Sequence, residues 1–239
     1  MTRLRALALA LLGLTTACSS GSSATPTETV TVFAAASLTR AFTAEGRAFE
    51  AANPGVRVTF SFAGSQALVA QVQQGAPASV LATADLETIA KVRAELAADP
   101  VVLAHNQLAI VTAPGNPKHV TTATDLARPG IRVVLADPAV PVGKAAAKAL
   151  AAAGVRVRPV SLEDAVTGVV TKVRLGEADA GIAYATDLVG SGVTGTPLAG
   201  TTTALAIAPL EGASRQATAF VAFVLGPEGQ RVLRSYGFS

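Results

Sequence analysis

Short apolar segments alternate with longer segments of helical character along most of the chain. Residues 30–33 are β-branched and aromatic, which is typical of a buried strand, and residues 38–52 then favour a helix. Residues 56–62 alternate apolar and polar positions, which indicates a half-buried strand. A helical pattern over 66–74 follows and ends at glycine and proline. The pattern therefore predicts repeated strand–helix units joined by short turns.

The same alternation continues to the C-terminus and predicts an α/β fold with mostly parallel sheets flanked by helices. A Gly- and Thr-rich stretch at 190–203 is the exception and predicts a loop with at most a short strand. Ser161 and Asp164 have the spacing of a capping box at the start of a helix. The further predicted strands are 80–82, 101–104, 108–111, 131–136, 155–160, 180–184 and 203–208. The further predicted helices are 84–98, 144–153, 161–175, 214–225 and 227–236.

Ser37 and Ser65 follow two neighbouring predicted strands, at the points where helices begin. Serine is a preferred N-cap residue, so either serine alone is explained by capping of its own helix. A helix N-terminus also offers unpaired backbone N–H groups and the positive end of the helix dipole. Because consecutive parallel strands end at the same edge of a sheet, both hydroxyls are expected to lie close together. The pair therefore favours a site for a small anion.

The N-terminus has the pattern of a secretory signal. A basic start precedes an apolar stretch, residues 6–14, that is too short to span a membrane. Cys18 is the only cysteine, so no intramolecular disulfide is possible, and its position after a small residue resembles a bacterial lipobox. Thr15 stands where that pattern usually has leucine, and ordinary cleavage near Ala17 with a free thiol is the alternative. The composition of residues 19–29 is typical of a flexible tether.

Composition and charge exclude some classes of function. Arg3 and Arg5 lie in the predicted signal, so most of the formal net charge of +3 is removed with it. The rest of the chain has no basic run with interleaved aromatic residues, which argues against a nucleic-acid partner. Hydrophobic residues make up 50% of the chain, yet no long stretch of them is uninterrupted, so no membrane span is predicted.

Several motifs stand in order along the chain: residues 32–38, 62–65, 74–78 and 137–138, residues 176–182 with Tyr184, and the ending 236–238. Together they resemble the molybdate-binding proteins of molybdate ABC transporters. The likeness covers essentially the whole chain after the signal. One departure is Ser79, since the family usually has aspartate at that place.

The resemblance implies the two-lobed type II periplasmic binding protein fold, with the ligand cleft between the lobes. Each lobe is expected to be a mostly parallel sheet flanked by helices. Two crossings between the lobes, near 104–108 and 204–209, are expected to act as a hinge. The implied divisions are a signal peptide at 1–17, lipidated Cys18 and a tether at 18–29, lobe I at 30–106 and 207–239, and lobe II at 107–206.

Five residues match the ligand contacts of that family. Ser37 and Ser65 match donors of a hydroxyl and a backbone N–H. Val142 and Val166 match backbone N–H donors, and Tyr184 matches a phenolic donor. All five are neutral, which suits a fully ionised tetrahedral dianion, whereas protonated phosphate would also need an acceptor. The implied ligand is molybdate or tungstate, with molybdenum held only as the oxyanion and no cofactor; sulfate or thiosulfate is the alternative.

Other chemistry-bearing residues are expected to have lesser roles. Lys144 lies beside a turn of the second lobe, but a solvated helix lysine is the simpler interpretation. His105 and His119 are the only histidines and have the wrong spacing for a metal site. No Gly-x-Ser-x-Gly or Ser-x-x-Lys motif is present. A serine hydrolase is therefore the weakest alternative, and the protein is not expected to be an enzyme.

The resemblance also implies partners and a location. The protein is expected to pass its oxyanion to the permease and ATPase complex of an ABC transporter. Acylation of Cys18 would hold it by lipid on the outer face of the cytoplasmic membrane, in the periplasm or cell-wall space. A monomer is expected.

Overall fold

A computed structural model describes residues 28–239 as strands and helices around one mixed sheet. The strands are β1 (Glu28–Ala35), β2 (Val56–Ala63), β3 (Val80–Thr83), β4 (Val101–Thr112), β5 (Val133–Ala136), β6 (Ser161–Glu163), β7 (Ala180–Tyr184) and β8 (Thr194–Pro209). The α-helices are α1 (Thr39–Ala52), α2 (Ser65–Gln73), α3 (Leu86–Ala90), α4 (Pro141–Ala152), α5 (Val166–Arg174), α6 (Arg215–Leu225) and α7 (Pro227–Ser235). Short 3-10 turns cover Ala36–Leu38, Arg93–Glu95, Thr124–Ala127 and Ala185–Leu188.

The order of strands across the sheet is β2-β1-β3-β8-β4-β7-β5-β6. β2, β1 and β3 are parallel, as are β7, β5 and β6, whereas β8 and β4 pair antiparallel between the two groups. We call β1–β3 with α1–α3, α6 and α7 the β1 side, and β5–β7 with α4 and α5 the β5 side. The predicted α/β class is confirmed, and β4 and β8 join the two parallel groups into a single sheet.

β4 and β8 are both longer than the sequence pattern predicts. Residues 105–107 do not interrupt β4, and most of the 190–203 stretch belongs to β8 rather than to a loop. Two register shifts along the β4–β8 pair absorb the irregular pairing. Threonine is β-branched, so the Thr-rich part of β8 pairs readily once β4 lies beside it. Tertiary pairing therefore overrides the glycine signals in this stretch.

The predicted helix at 84–98 is broken. α3 covers only Leu86–Ala90, and a separate 3-10 turn follows it. The chain then straightens so that Leu96 forms an antiparallel bridge with Leu210, just beyond β8. The helical periodicity is therefore interrupted by pairing with a distant segment.

The strand predicted at 155–160 also lies elsewhere. Residues 155–160 are irregular, and β6 is a short edge strand, Ser161–Glu163. The Ser161 hydroxyl donates to Glu163 Oε1 at 2.9 Å, so the predicted capping box is not formed. The helix that the box was expected to open begins instead at Val166.

A cluster of phenylalanines packs α1 onto the sheet. Phe42 and Phe49 of α1 meet Phe220 of α6 edge to face, at centroid distances of 6.2 and 5.4 Å. Phe60 of β2 lies 6.2 Å from both Phe42 and Phe220. Buried aromatic pairs contribute about 0.5–1.5 kcal/mol each beyond their buried area. This packing fixes α1, and with it the turn at Ala36–Leu38 that precedes it.

The predicted signal peptide, Cys18 and most of the predicted tether lie outside the described residues. β1 begins at Glu28, so the last two residues assigned to the tether belong to a strand. No helix within residues 28–239 is long and apolar enough to cross a membrane. β4 and β8 run through the expected lobe boundaries, and those boundaries stay a prediction.

Candidate ligand-binding site

Four helical N-termini meet at one small cavity, of about 20 Å³, between the β1 side and the β5 side. They belong to the 3-10 turn before α1 and to α2, α4 and α5. All five residues predicted to contact a ligand are brought together here. The lining consists of Ala35, Ala36, Ser37, Ala63, Gly64, Ser65, Ala84, Pro141, Val142, Val166 and Tyr184.

The two serine turns lie side by side because β1 and β2 are parallel and in register. Ala35 pairs with Ala63 at the ends of these strands, so Ser37 and Ser65 follow at the same edge of the sheet. The sequence-based placement of both turns at one edge is confirmed. The prediction that the serines cap their helices is wrong, because the cap residues are Ala35 for the 3-10 turn, Leu38 for α1 and Gly64 for α2.

The two serine hydroxyls are in different environments. Ser37 is the middle residue of its turn, and its Oγ is buried without a hydrogen-bond partner among residues 28–239. Ser65 is the first residue of α2, and its Oγ accepts a hydrogen bond from the Ala84 N–H at 3.0 Å. Since a hydroxyl that accepts one bond still carries its own proton, Ser65 is also able to donate.

On the β5 side, α4 starts three residues earlier than predicted, at Pro141. Proline suits a first helical position because its φ is already helical and its missing N–H is not needed there. The Lys144 N–H makes the first bond back to the cap residue, to Val140 O at 2.9 Å. The N–H of Val142 therefore has no acceptor within the helix.

Val166 is the first residue of α5, one position earlier in its helix than Val142 is in α4. Ala165 is the cap residue, with an extended backbone, and the Gly168 N–H donates to Ala165 O at 3.1 Å. The Val166 N–H lies before that bond and has no acceptor within the helix. Val142 and Val166 are both almost completely buried, so these N–H groups are shielded from bulk water.

Tyr184 ends β7 and supplies a third kind of donor. The residue is 2% exposed, and its hydroxyl is buried without a hydrogen-bond partner in the part of the chain that the structure describes. Burial raises the pKa of the phenol, and the carboxyl groups of Asp187 and Asp85 raise it further. The nearby Thr203 side chain lowers the pKa, and its effect is the smallest of the four. The hydroxyl is therefore protonated at neutral pH and able to donate.

The cavity lining carries no formal charge at neutral pH. Behind it, Asp187 Oδ2 accepts a hydrogen bond from the backbone N–H of Tyr184 at 3.0 Å. Asp187 is partly exposed, toward a neighbouring cavity of about 250 Å³ that it lines. Burial nevertheless raises the pKa of its carboxyl to about 7, and the bond from Tyr184 offsets only part of this shift. Asp187 therefore places less negative charge beside the cavity than an ordinary aspartate would.

The unpartnered hydroxyls indicate what the cavity is built to hold. A buried polar group without a partner costs about 1–3 kcal/mol, and Ser37 and Tyr184 each carry one. The two residues come from different sides of the molecule and line the same cavity. A ligand that accepts hydrogen bonds removes both penalties at once. The arrangement is therefore suited to binding a small anion through neutral donors.

Lys144 and the histidines take no part in this cavity. Lys144 Nζ pairs with the carboxylate of Glu87 on α3, and both side chains are more than half exposed. Lys144 is thus a surface lysine, as predicted, but one with a partner on the other side of the molecule. His105 and His119 are exposed, and no cluster of acidic, His or Cys side chains within residues 28–239 is placed to hold a metal ion.

Sequence reasoning missed three residues at the site. Ala84 supplies the N–H that orients Ser65, and Gly64 lets the backbone of the two sides approach closely. Gln66 donates from Nε2 to Asp164 O at 2.9 Å, which links the β1 side to the β5 side. Gly64 belongs to one of the motifs of the resemblance and Gln66 to a predicted helix, but neither pattern indicates these roles, because each role depends on a segment that is distant along the chain.

Known proteins are similar to this chain in sequence and in fold. The model of the bacterial extracellular solute-binding protein family matches residues 30–239. The molybdate-binding protein ModA of Mycobacterium tuberculosis (strain H37Rv) is 44% identical over 220 residues, which are 88% of this chain and 84% of that protein. The resemblance to the molybdate-binding proteins is therefore confirmed over nearly the whole chain.

Solved structures agree on the fold. The periplasmic molybdate-binding protein of Azotobacter vinelandii matches with a TM-score of 0.77 at 17% identity, over 88% of this chain and 98% of that chain. The sulfate-binding protein SubI of Mycobacterium tuberculosis matches with a TM-score of 0.72 at 23% identity, over 88% of this chain and 86% of that chain. The protein described here belongs to the family of bacterial extracellular solute-binding proteins.

Proposed function

We propose that this protein binds molybdate, and also tungstate, as the intact oxyanion and delivers it to the permease and ATPase of an ABC transporter. The observation that carries the proposal is the pair of buried, unpartnered hydroxyls on Ser37 and Tyr184 beside a cavity ringed by helix N-termini. The relative at 44% identity is named for molybdate binding, which favours this anion among those with the same shape and charge.

A site made only of donors selects for a charge state. Every oxygen of a fully ionised dianion can only accept hydrogen bonds, so hydroxyl and backbone N–H groups satisfy all of them. Hydrogen bonds to an ionised acceptor are worth roughly 1.5–3 kcal/mol each. Helix N-termini add positive partial charge without a buried counter-ion. A ligand that carries an O–H would need an acceptor, and the lining side chains include no carboxylate.

Sulfate and thiosulfate are the alternative ligands, because they have the same charge and offer the same acceptors. The likeness to SubI concerns the fold and therefore does not favour them. A serine hydrolase is disfavoured by the geometry. A nucleophilic serine needs a base within hydrogen-bond reach, whereas Ser65 Oγ accepts from a backbone N–H and Ser37 Oγ has no partner among the described residues.

Isothermal titration with molybdate, tungstate, sulfate and phosphate at pH 7.5 tests the proposal. Molybdate and tungstate are expected to bind much more tightly than sulfate, and phosphate is expected to bind weakly. Lys148→Ala serves as the control, since Lys148 is an exposed lysine of the same helix as Val142 and its charge is screened by salt, so its loss should change affinity by less than about fivefold. Preferential binding of sulfate would replace the proposed ligand, and failure to bind any tetrahedral dianion would overturn the proposal.

We also infer that Cys18 is acylated and tethers the protein to the outer face of the cytoplasmic membrane. The support is the position of Cys18 after an apolar signal, together with membership of an extracellular family. Changing Cys18 to Ala is expected to move the protein from the membrane fraction to the soluble fraction of the cell envelope. Wild-type protein that is already soluble, with an unmodified N-terminus by mass spectrometry, would contradict the anchor.

A further inference from the structure

Gln66 makes a contact that the ligand site itself does not require. It is the second residue of α2, directly after Ser65, and its Nε2 donates to Asp164 O at 2.9 Å. Asp164 directly precedes Ala165, the cap residue of α5. A single side-chain amide therefore links the start of α2 to the start of α5, the helices that carry Ser65 and Val166.

The contact is not a product of strand pairing. α2 follows β2 and α5 follows β6, and these two strands are the opposite edges of the eight-stranded sheet. Segments at opposite edges meet only when the β1 side and the β5 side fold toward each other across the cavity. The Gln66–Asp164 bond therefore joins the two sides across the cavity and would be lost if they separated.

Close packing at Gly64 supports this interpretation. A Cβ added to Gly64 would lie 2.6 Å from Asp164 O and 2.6 Å from Gln66 Nε2. The backbone that lines the cavity, the Gln66 amide and the turn before α5 thus touch one another without room for a methyl group. The amide lies between the two sides beside the cavity, and its hydrogen bond to Asp164 O is exposed to solvent.

Only one end of the Gln66 amide is hydrogen-bonded, which suits a reversible contact. Gln66 Oε1 is buried and has no hydrogen-bond partner within residues 28–239. An unpaired buried acceptor disfavours the closed arrangement and offsets part of what the Nε2 bond contributes. The contact therefore does not hold the molecule closed by itself, and it adds to the closure that a ligand stabilises. Because the amide is neutral, it also brings no negative charge close to a bound anion.

We propose that Gln66 is a latch that keeps the cavity closed over the bound oxyanion and slows its release. This inference rests on the proposed function only in that molybdate is the bound species. Since the latch forms after the anion has entered, its loss should raise the dissociation rate and leave the association rate nearly unchanged. Gln66 is a positioning residue in this scheme, because it acts on closure rather than on the anion.

Stopped-flow binding and displacement of molybdate test the latch in Gln66→Ala. Removal of one neutral hydrogen bond predicts a dissociation rate about 3- to 10-fold higher, with an association rate within about twofold of wild type. Gln73→Ala is the matched control, because Gln73 lies on the same helix and its exposed side chain contacts Lys91 O within the β1 side. Gln66→Glu keeps the size but loses the donor and adds a charge, so a larger increase in dissociation rate is expected.

Thermal melts of the ligand-free proteins show whether a change in the dissociation rate comes from a loss of folding stability. The two alanine variants are expected to melt within a few degrees of wild type. If wild type binds molybdate and Gln66→Ala releases it as slowly as Gln73→Ala, the latch is wrong while the proposed function stands. If wild type binds no oxyanion, the proposed function is wrong, and the latch is wrong with it. An effect of Gln66→Ala on the association rate alone would also overturn the latch.

Discussion

At the scale of single residues, the site is defined by groups that lack partners in the protein. Ser37 and Tyr184 have buried hydroxyls without partners in the described chain, whereas the Ser65 hydroxyl is held by the Ala84 N–H. Because of this difference, a mutation at each residue has a different effect on the stability of the ligand-free protein and on the affinity for ligand. A buried hydroxyl that bonds only to ligand does not stabilise the ligand-free fold, and it carries the penalty of an unpaired polar group.

Ser37→Ala and Tyr184→Phe are therefore expected to weaken molybdate binding without destabilising the free protein. Each loses a hydrogen bond to a charged ligand, roughly 1.5–3 kcal/mol, or about ten- to hundredfold in affinity. The melting temperature of the free protein should stay the same or rise, because an unpaired buried hydroxyl has been removed. Ser65→Ala should lower both affinity and stability, since the Ala84 N–H loses its acceptor. Calorimetric titration and thermal melts of the three variants check this pattern.

Glu45 is the other unpartnered polar residue of interest, and it lies away from the site. It is fully buried on α1, and neither carboxyl oxygen has a hydrogen-bond partner among the described residues. Burial raises its pKa to about 9, so the folded protein holds the neutral acid at pH 7. In the unfolded chain the same group ionises above about pH 4.5.

The raised pKa of Glu45 makes stability fall as pH rises. The stabilising contribution of the proton is complete below about pH 4.5 and is lost progressively up to about pH 9, at roughly 1.4 kcal/mol per pH unit. Glu45→Gln should flatten this dependence, and Glu45→Leu should make the protein more stable than wild type at pH 8. Urea unfolding at pH 5.5 and pH 8 provides the measurement. Equal pH dependence in wild type and Glu45→Gln would show that another group is responsible.

At the scale of elements, local pattern and tertiary pairing can be told apart. β1 and β7 follow from short apolar runs, because most of their residues are buried. β2 and the helices α1, α2, α6 and α7 follow from the periodicity of their apolar positions. The Ser37 and Ser65 turns could be placed at one sheet edge, because consecutive parallel strands end at the same edge. The full lengths of β4 and β8 could not be predicted, since their middle sections are polar and are strands only because they pair with each other. The starts of α4 and α5 were not predicted, because the turns before them bond to distant segments, through Asp137 N–H to Glu163 O and through Gln66 Nε2 to Asp164 O.

Two glycines at equivalent places in α4 and α5 give a matched test of this packing. Gly143 and Gly168 are each the third residue of their helix. A Cβ on Gly143 would lie 2.0 Å from the backbone oxygen of Asp137, whereas a Cβ on Gly168 would meet only the side chain of Glu163, at 2.9 Å and beyond. Backbone cannot move aside as a side chain can, so Gly143→Ala must displace the start of α4 and the Val142 N–H.

Gly143→Ala is therefore expected to cost about 1–3 kcal/mol of stability and to reduce molybdate affinity at least tenfold. Gly168→Ala should retain binding within a few fold of wild type. Urea unfolding and calorimetric titration of both variants are the measurements. Equal losses in the two variants would mean that the close approach at Asp137 does not position the Val142 N–H.

At the scale of the whole molecule, the five residues proposed to bind the ligand come from the β1 side and from the β5 side. Ser37 and Ser65 belong to the β1 side, and Val142, Val166 and Tyr184 belong to the β5 side. All five donors surround a ligand only when the sides are close together. A ligand that uses all five therefore favours the closed arrangement, because it binds that arrangement more tightly than an open one.

Small-angle scattering should show this closure directly. We expect the radius of gyration of the ligand-free protein to decrease on saturation with molybdate, because the two sides move together about the middle of β4 and β8. Ser37→Ala at a molybdate concentration far below its weakened Kd serves as the control and should show no decrease. An unchanged radius in saturated wild-type protein would argue against motion between the predicted lobes.

The long antiparallel strand β8 also has a consequence for the order in which the chain folds. β3 completes its pairing only with the end of β8, where Val80 lies opposite Pro209, well over a hundred residues further along. The β5 side, in contrast, is built from consecutive segments between β5 and β7. Pairing between segments so distant in sequence slows folding, because the entropy of closing the loop is lost before the contacts form. During synthesis from the N-terminus, β3 therefore keeps one edge unpaired until residues 206–209 arrive, about thirty residues before the C-terminus. Most of the chain is made before the sheet can be completed.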